Sequence, residues 1–267
     1  MLAQAFDRAK RAGRLAFIPY LMAGDPDLAT TEAVLEALSA GGADVIELGI
    51  PYSDPLADGP TIASAGARAL AGGTRVADVL GLVLRCAASS APIVLFTYFN
   101  PIFRFGIERF AEEAAAAGVA GAIVPDVALE EAEELRRALQ ARGIAMPLLV
   151  APTSSPERAA RIAAAATGFV YVVSRLGVTG ASSAPNLAPL SAQLGFLRQC
   201  TGKPLAIGFG LSRPEDVRNF ADLADAVVVG SALIDACAAR RGAEAAQRAT
   251  EFLTPLIVAT RGRLLPT

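Results

Sequence analysis

Short apolar runs alternate along the chain with alanine-rich segments that have a helical period. Each run is nearly continuous in valine, isoleucine and leucine, which is typical of parallel strands covered on both faces. The predicted strands are Leu15–Met22, Asp44–Leu48, Pro92–Tyr98, Ala120–Pro125, Met146–Ala151, Gly168–Ser174, Pro204–Gly208 and Asp225–Gly230.

The segments between these runs predict helices, and a charged amphipathic stretch before the first strand predicts an N-terminal helix. Thr30 is expected to cap the first helix after a strand, and Pro255 is expected to end the last one. The predicted helices are Thr30–Ala40, Val76–Ala88, Ile107–Ala117, Leu129–Arg142, Pro156–Ala165, Leu190–Gln199, Pro214–Leu223 and Ala232–Leu253.

Eight consecutive strand–helix units without a linker or a break in composition predict one α/β domain over residues 1–267. This arithmetic matches a single (β/α)8 TIM barrel with an N-terminal helix. An open, doubly wound sheet is the structural alternative, because local periodicity does not establish closure. Two long βα loops, Gly49–Pro60 after the second strand and Arg175–Ala188 after the sixth, would lie at the mouth where barrel active sites form.

The composition excludes several classes of protein. Hydrophobic residues make up 53% and charged residues 19%, which excludes an intrinsically disordered chain. A net charge of −2 provides no positive electrostatic potential to attract nucleic acid or an anionic membrane. We expect a cytoplasmic protein, since no apolar run reaches the ~18 residues of a membrane span and the N-terminus lacks a signal peptide. The three cysteines, Cys86, Cys200 and Cys237, are expected to be reduced, buried thiols.

The absence of histidine excludes Ser-His-Asp and Cys-His nucleophiles and any His-ligated metal, so Asp, Glu, Tyr or Cys must supply acid–base chemistry. Glu47 alternates with Ile46 and Leu48, which suit the helix layer, so its side chain is predicted to point into the barrel near the mouth. Burial there would raise its pKa toward the range useful for proton transfer. The alternative is a glutamate that escapes to solvent or pairs with an arginine.

The loop that follows Glu47 carries two carboxylates, Asp54 and Asp58, among prolines and a glycine. Turns use Asp for backbone reasons alone, so one is expected to shape the turn while the other reaches a substrate. Three glycine-bearing strand ends, Val178–Ala181, Gly208–Leu211 and Val229–Ser231, fit either a backbone phosphate site or turn geometry.

Aromatic residues gather at the predicted strand ends, where they would line an apolar pocket or pack the upper layer of the barrel. They are Tyr20, Tyr98, Phe99, Tyr171 and Phe209.

The order of these motifs resembles the tryptophan synthase alpha chain family over residues 15–258. The most specific match is Glu47–Ile62 (ELGIPYSDPLADGPTI). The further matches are Phe17–Tyr20 (FIPY), Ala23–Pro26 (AGDP), Tyr98–Pro101 (YFNP), Ser174–Gly180 (SRLGVTG) and Gly208–Ser212 (GFGLS). Ala128 and Leu176 depart from the family pattern without touching the matched catalytic positions.

The resemblance implies a lyase that cleaves 1-C-(indol-3-yl)glycerol 3-phosphate to indole and D-glyceraldehyde 3-phosphate in tryptophan biosynthesis. It implies Glu47 as the principal acid–base carboxylate and Asp58 as the second catalytic carboxylate. Expected substrate contacts are Tyr20, Tyr98, Tyr171, Thr179 and Phe209. Expected phosphate contacts are Gly180, Gly210, Gly230 and Ser231.

The resemblance also implies that this chain carries no cofactor or metal. Its partner would be a beta chain with pyridoxal phosphate, in an alpha2beta2 tetramer. Three other hypotheses stay open from the sequence: a different phosphate-binding barrel such as a sugar-phosphate epimerase, an idle barrel that only activates a beta chain, and a free-standing lyase that releases indole. No lysine lies near the carboxyl end of a predicted strand, which disfavours a Schiff-base aldolase.

Overall fold

Eight strands form one parallel sheet in the computed structural model, which describes residues 1–87, 91–174, 187–208 and 210–261. The strands are β1 (Ala16–Met22), β2 (Ile46–Gly49), β3 (Ile93–Phe96), β4 (Gly121–Ile123), β5 (Leu148–Val150), β6 (Val170–Val173), β7 (Leu205–Gly208) and β8 (Ala226–Val229). All but β2 lie inside their predicted ranges; β2 begins two residues later than predicted and runs on to Gly49.

The sheet closes into a barrel. Hydrogen bonds join the strands in the order β4-β3-β2-β1-β8-β7-β6-β5, so only β4 and β5 remain to be joined. Ala145, just before β5, closes this gap: its carbonyl accepts from Ala122 N at 2.8 Å and its N–H donates to Ala120 O at 3.1 Å. The predicted (β/α)8 barrel is therefore confirmed, and the open doubly wound sheet is excluded.

Helices surround the barrel, and one precedes it. They are α1 (Leu2–Arg11), α2 (Leu28–Ala40), α3 (Pro60–Ala71), α4 (Val76–Cys86), α5 (Phe99–Phe105), α6 (Ile107–Ala116), α7 (Glu133–Gln140), α8 (Pro156–Ala165), α9 (Leu187–Cys200), α10 (Pro214–Arg218), α11 (Ser231–Cys237) and α12 (Gly242–Ala259). The predicted N-terminal helix is α1, whose Phe6 ring lies 5.5 Å from Phe169 and covers the lower end of the barrel.

Several helix boundaries differ from the prediction. The N-cap of α2 is Asp27 and not Thr30. Asp27 has the extended backbone conformation of an N-cap residue, and the Asp27 carboxylate accepts a hydrogen bond from Thr30 N. Helix α7 begins at Glu133 instead of Leu129, since residues 129–132 form turns, and α10 ends at Arg218 instead of Leu223. The sequence also missed α3, which is rich in Ala, Ser and Gly, and α5, whose aromatic residues surround Pro101.

The predicted last helix, Ala232–Leu253, is two helices, α11 and α12, separated at Ala239 with φ +61°. Pro255 does not end α12. It removes one backbone donor, but the helix continues to Ala259 because Leu256 and Ala259 remain buried against the rest of the fold.

Two apolar layers place the candidate site. Ile46 and Leu48 belong to the core between strands and helices, while Val45 belongs to the core inside the barrel, which sets Glu47 on the inward face as predicted. Of the cysteines only Cys86 is buried, whereas Cys200 and Cys237 are partly exposed, which corrects the prediction that all three are buried; none of the three forms a disulfide within the described residues. None of the described helices is long and apolar enough to cross a bilayer.

Candidate active site

A pocket lies at the carboxyl ends of the strands. Its volume is about 420 Å³ when the solvent-filled space at its open mouth is included. Its lining residues are Tyr20, Glu47, Asp58, Ile62, Phe96, Tyr171, Gly210, Val228, Gly230 and Ser231. The structure therefore brings together seven residues predicted from the sequence. Thr179, Gly180 and Phe209 lie outside the described residues. Among those described, Tyr98 is the one predicted contact that does not line the pocket.

Glu47 is the buried acid of this pocket. Register places it beside Tyr20 of β1 and Val94 of β3, and only 1% of the residue is exposed. Over the ranges that the structure covers, its Oε1 has no hydrogen-bond partner. Burial raises the pKa of Glu47 to about 8, so the group is protonated at neutral pH. This is neither the solvent-exposed nor the arginine-paired glutamate of the alternative interpretation.

Asp58 lies on the segment between β2 and α3, and its environment differs from that of Glu47. Burial raises its pKa to about 6, and the Tyr98 hydroxyl holds that pKa below the value that burial alone would set. Asp58 is consequently mostly ionised at neutral pH. One pocket thus holds a neutral acid and an anion, an arrangement that divides acid–base roles between two carboxyls.

Asp54 takes the role expected of the other loop carboxylate. It is exposed, its Oδ2 accepts from Ser53 Oγ at 2.5 Å, and its backbone carbonyl accepts from Leu56 N at 2.9 Å. These contacts shape the turn and leave Asp54 outside the pocket lining among the described residues.

Two glycines, Gly49 and Gly208, leave the space that the pocket tyrosines occupy; the sequence analysis named both but gave neither this role. A Cβ at Gly49 would lie 2.3 Å from Tyr20 Oη, and one at Gly208 would lie 2.0 Å from Tyr171 Oη. The rings therefore occupy space that any other residue at these positions would fill. The available signal was the position of each glycine at the end of a strand whose neighbours carry the site.

Two of the three glycine-bearing strand ends, those after β7 and β8, line the pocket, whereas Val178–Ala181 lies outside the described residues. Gly210 has φ +83°, a conformation that favours glycine, and follows β7. A Cβ at Gly230 would lie 3.3 Å from Tyr20 Cβ, and Ser231 begins α11 directly after β8. Sequence reasoning missed the apolar lining residues Ile62, Phe96 and Val228; inward alternation along the strands was the signal for the last two.

An eight-stranded β/α barrel with a buried acid, an ionised carboxylate and glycine-lined strand ends at its mouth defines a barrel enzyme of acid–base chemistry. A profile of the family "Tryptophan synthase alpha chain" matches residues 6–260. The chain belongs to the tryptophan synthase alpha chain family, which confirms the predicted class of enzyme, a lyase of tryptophan biosynthesis.

Similar proteins support the assignment over nearly the whole chain. The tryptophan synthase alpha chain of Prochlorococcus marinus (strain MIT 9313) is 50% identical over 257 residues, covering 96% of this chain and 93% of the relative. A structure of Mycobacterium tuberculosis tryptophan synthase matches with a TM-score of 0.90 and 38% identity, covering 98% of each chain. The alpha subunit from Legionella pneumophila str. Paris matches with a TM-score of 0.86 and 34% identity over 97% of both.

Proposed function

We propose that this chain cleaves 1-C-(indol-3-yl)glycerol 3-phosphate to indole and D-glyceraldehyde 3-phosphate, with Glu47 and Asp58 as the catalytic residues. The observation that carries the proposal is the pairing of a protonated Glu47 with an ionised Asp58 in one pocket. Indole leaves only after its C3 is protonated, because cleavage would otherwise place a carbanion on the ring.

Glu47 donates its proton to C3 of the indole ring, which becomes an indolenine cation. The resulting carboxylate then removes the proton of the glycerol hydroxyl next to the breaking bond. That hydroxyl becomes the aldehyde carbonyl, and the electron pair of the broken C–C bond restores the aromatic ring. Glu47 ends the cycle protonated, so it serves as both acid and base.

Asp58 stabilises the cation that forms between these two proton transfers. Positive charge on the indolenine is shared by the ring nitrogen, and a fixed carboxylate near it lowers the barrier electrostatically. Tyr20 and Tyr171, both nearly buried at the pocket wall, are proposed to hold the indole ring.

The phosphate end is proposed to lie at Gly210, Gly230 and Ser231, where glycine allows close approach to backbone N–H groups. Gly180 is added to the phosphate contacts, and Thr179 and Phe209 to the other substrate contacts, on the strength of the family motif alone. Two carboxyls suffice for the proton transfers, so we propose that the chain works without a cofactor or metal of its own. Over the described ranges, no cluster of three or more Asp, Glu, Cys or His side chains is arranged to hold a metal.

The partner is proposed to be a tryptophan synthase beta chain, which carries pyridoxal phosphate, in an alpha2beta2 tetramer in the cytoplasm. Two large apolar side chains are exposed on the Asp58 segment and on the helix whose start is bonded to it: Leu56, two residues before Asp58, is 84% exposed, and Phe103, on α5, is 63% exposed. Exposed apolar residues beside a catalytic loop are typical of an interaction surface. Residues 1–267 are proposed to act as one domain, without nucleic-acid or membrane partners.

The test is indole release by the purified chain with and without a beta chain. We expect slow release by the chain alone and an increase of about tenfold or more with the partner, as for a coupling of 1–3 kcal/mol. Absence of release under both conditions would overturn the proposed activity. Equal release under both would identify a free-standing lyase.

A matched pair of variants locates the interaction. Phe103→Asp should keep the basal rate and lose the increase. Val258→Asp should keep both. Val258 is 54% exposed, but it lies at the end of α12, two residues before Thr260, whose carbonyl accepts from Leu15 N just before the start of β1.

A further inference from the structure

Tyr98 touches the catalytic segment instead of the pocket. It precedes α5 directly, and only 3% of the residue is exposed. Its Oη accepts a hydrogen bond of 2.9 Å from Ala57 N, the residue immediately before Asp58. A phenol has a single hydrogen to donate, and this contact uses an acceptor position, so the hydrogen is left for a second partner.

The Asp58 carboxyl, which follows Ala57 directly along the chain, is the acceptor that the pKa shifts of both groups indicate. The Tyr98 hydroxyl lowers the pKa of Asp58, and Asp58 in turn raises the pKa of Tyr98. The other titratable groups that face the pocket with Asp58 are Tyr20 from β1, Glu47 from β2 and Tyr171 from β6. None of these groups is a cation. Within the described part of the chain, the neutral hydroxyl of Tyr98 is therefore the group that favours the ionised form of Asp58.

Neighbouring contacts hold the Tyr98 ring in place. Asp126, after β4, accepts from Phe99 N at 2.9 Å and fixes the start of α5. The Tyr52 ring lies 5.3 Å from the Tyr98 ring, and Tyr52 Oη accepts from Asn100 Nδ2 at 3.3 Å. The segment that carries Asp58 is thereby fastened to the β3–α5 connection at two points.

We propose that Tyr98 is a positioning residue that acts through Asp58 and not a substrate contact. Its single hydroxyl holds the backbone before Asp58 and favours the charged carboxylate that faces the indolenine cation. This inference rests on the proposed indole-releasing function, and it replaces the substrate-binding role that the family motif implied for Tyr98.

Tyr98→Phe tests the inference because it removes only the hydroxyl. The acidic limb of kcat/KM, expected near pH 6 from Asp58, should move upward by about one unit, the usual effect of losing one hydrogen bond to a charged group. The loss should be about tenfold below the limb and smaller at pH 7.5, with KM changed less than about twofold. Tyr52→Phe is the matched control on the same segment, and its limb should not move.

A double-variant cycle separates this role from a general structural one. In an Asp58→Asn background, Tyr98→Phe should cost no further kcat in single turnover, because the carboxylate it serves is gone. Thermal unfolding confirms that each variant is folded at the assay temperature. An unmoved acidic limb, a large rise in KM, or an equal cost in both backgrounds would overturn the inference. Absence of indole release by the parent chain would instead overturn the proposed function.

Discussion

Glu47→Gln is expected to abolish indole release while making the folded chain more stable. The amide has nearly the shape of the protonated carboxyl but cannot deliver a proton to C3 or take one from the glycerol hydroxyl. General acid–base groups contribute about 10²–10⁴-fold, and Glu47 serves in both directions, so we expect a loss of about 10³-fold or more. Binding of a nonreactive indolyl phosphate should be largely retained.

The gain in stability follows from the pKa of Glu47, which burial raises from 4.5 to about 8. Between these values the folded chain binds a proton that the unfolded chain releases, so stability falls as pH rises from about 4.5 to 8. Near pH 7 the cost is about 3 kcal/mol. Glutamine removes it because it is neutral in both states.

Urea unfolding of parent and Glu47→Gln at several pH values measures this difference. The free energies of unfolding should coincide near pH 4.5 and diverge toward pH 8, with the variant the more stable. A variant with activity within about tenfold of the parent, or one less stable at pH 7, would remove Glu47 from the role of buried acid.

Asp58→Asn is expected to reduce single-turnover indole release by about 10²–10³-fold at saturating substrate, the usual cost of removing one group that stabilises developing charge. The amide keeps the size of the side chain and loses the negative charge. Because the charge acts on the cation and not on the ground state, kcat should fall much more than KM rises.

Asp54→Asn is the matched control for Asp58→Asn. It is the same substitution four residues earlier in the same segment, at an exposed carboxylate that accepts from Ser53. We expect it to change the single-turnover rate by less than about fivefold, since it alters a turn and not the pocket. Equal and severe defects in both variants would refute the division of roles between the two aspartates.

The strand pattern predicted the barrel well because parallel strands are buried on both faces and leave long apolar runs. Closure was the undetermined step, because it depends on contacts of Ala145 with Ala120 and Ala122 that no local period encodes. Helix α5 was missed for a related reason: its aromatic sequence around Pro101 has no helical period, and tertiary contacts such as Phe99 N with Asp126 hold it.

The site was predictable where alternation or a turn residue carried the signal. Inward placement of Glu47 followed from its apolar neighbours. The long loop after its strand predicted that one of its two aspartates reaches the substrate, and only the family resemblance singled out Asp58. The use of the Tyr98 hydroxyl did not follow, because a tyrosine at a strand end is equally suited to touch a ligand or a loop. Only the contact with Ala57 N distinguishes the two.

The pH dependence of kcat/KM for indole release tests most directly whether a neutral acid and an anion share the pocket. We predict a bell with an acidic limb near pH 6, where Asp58 loses its charge, and a basic limb near pH 8, where Glu47 loses its proton. Asp58→Asn should remove the acidic limb and keep the basic one. A rate that keeps rising through pH 9 in the parent chain would contradict the account, because it would show that catalysis begins from an ionised Glu47.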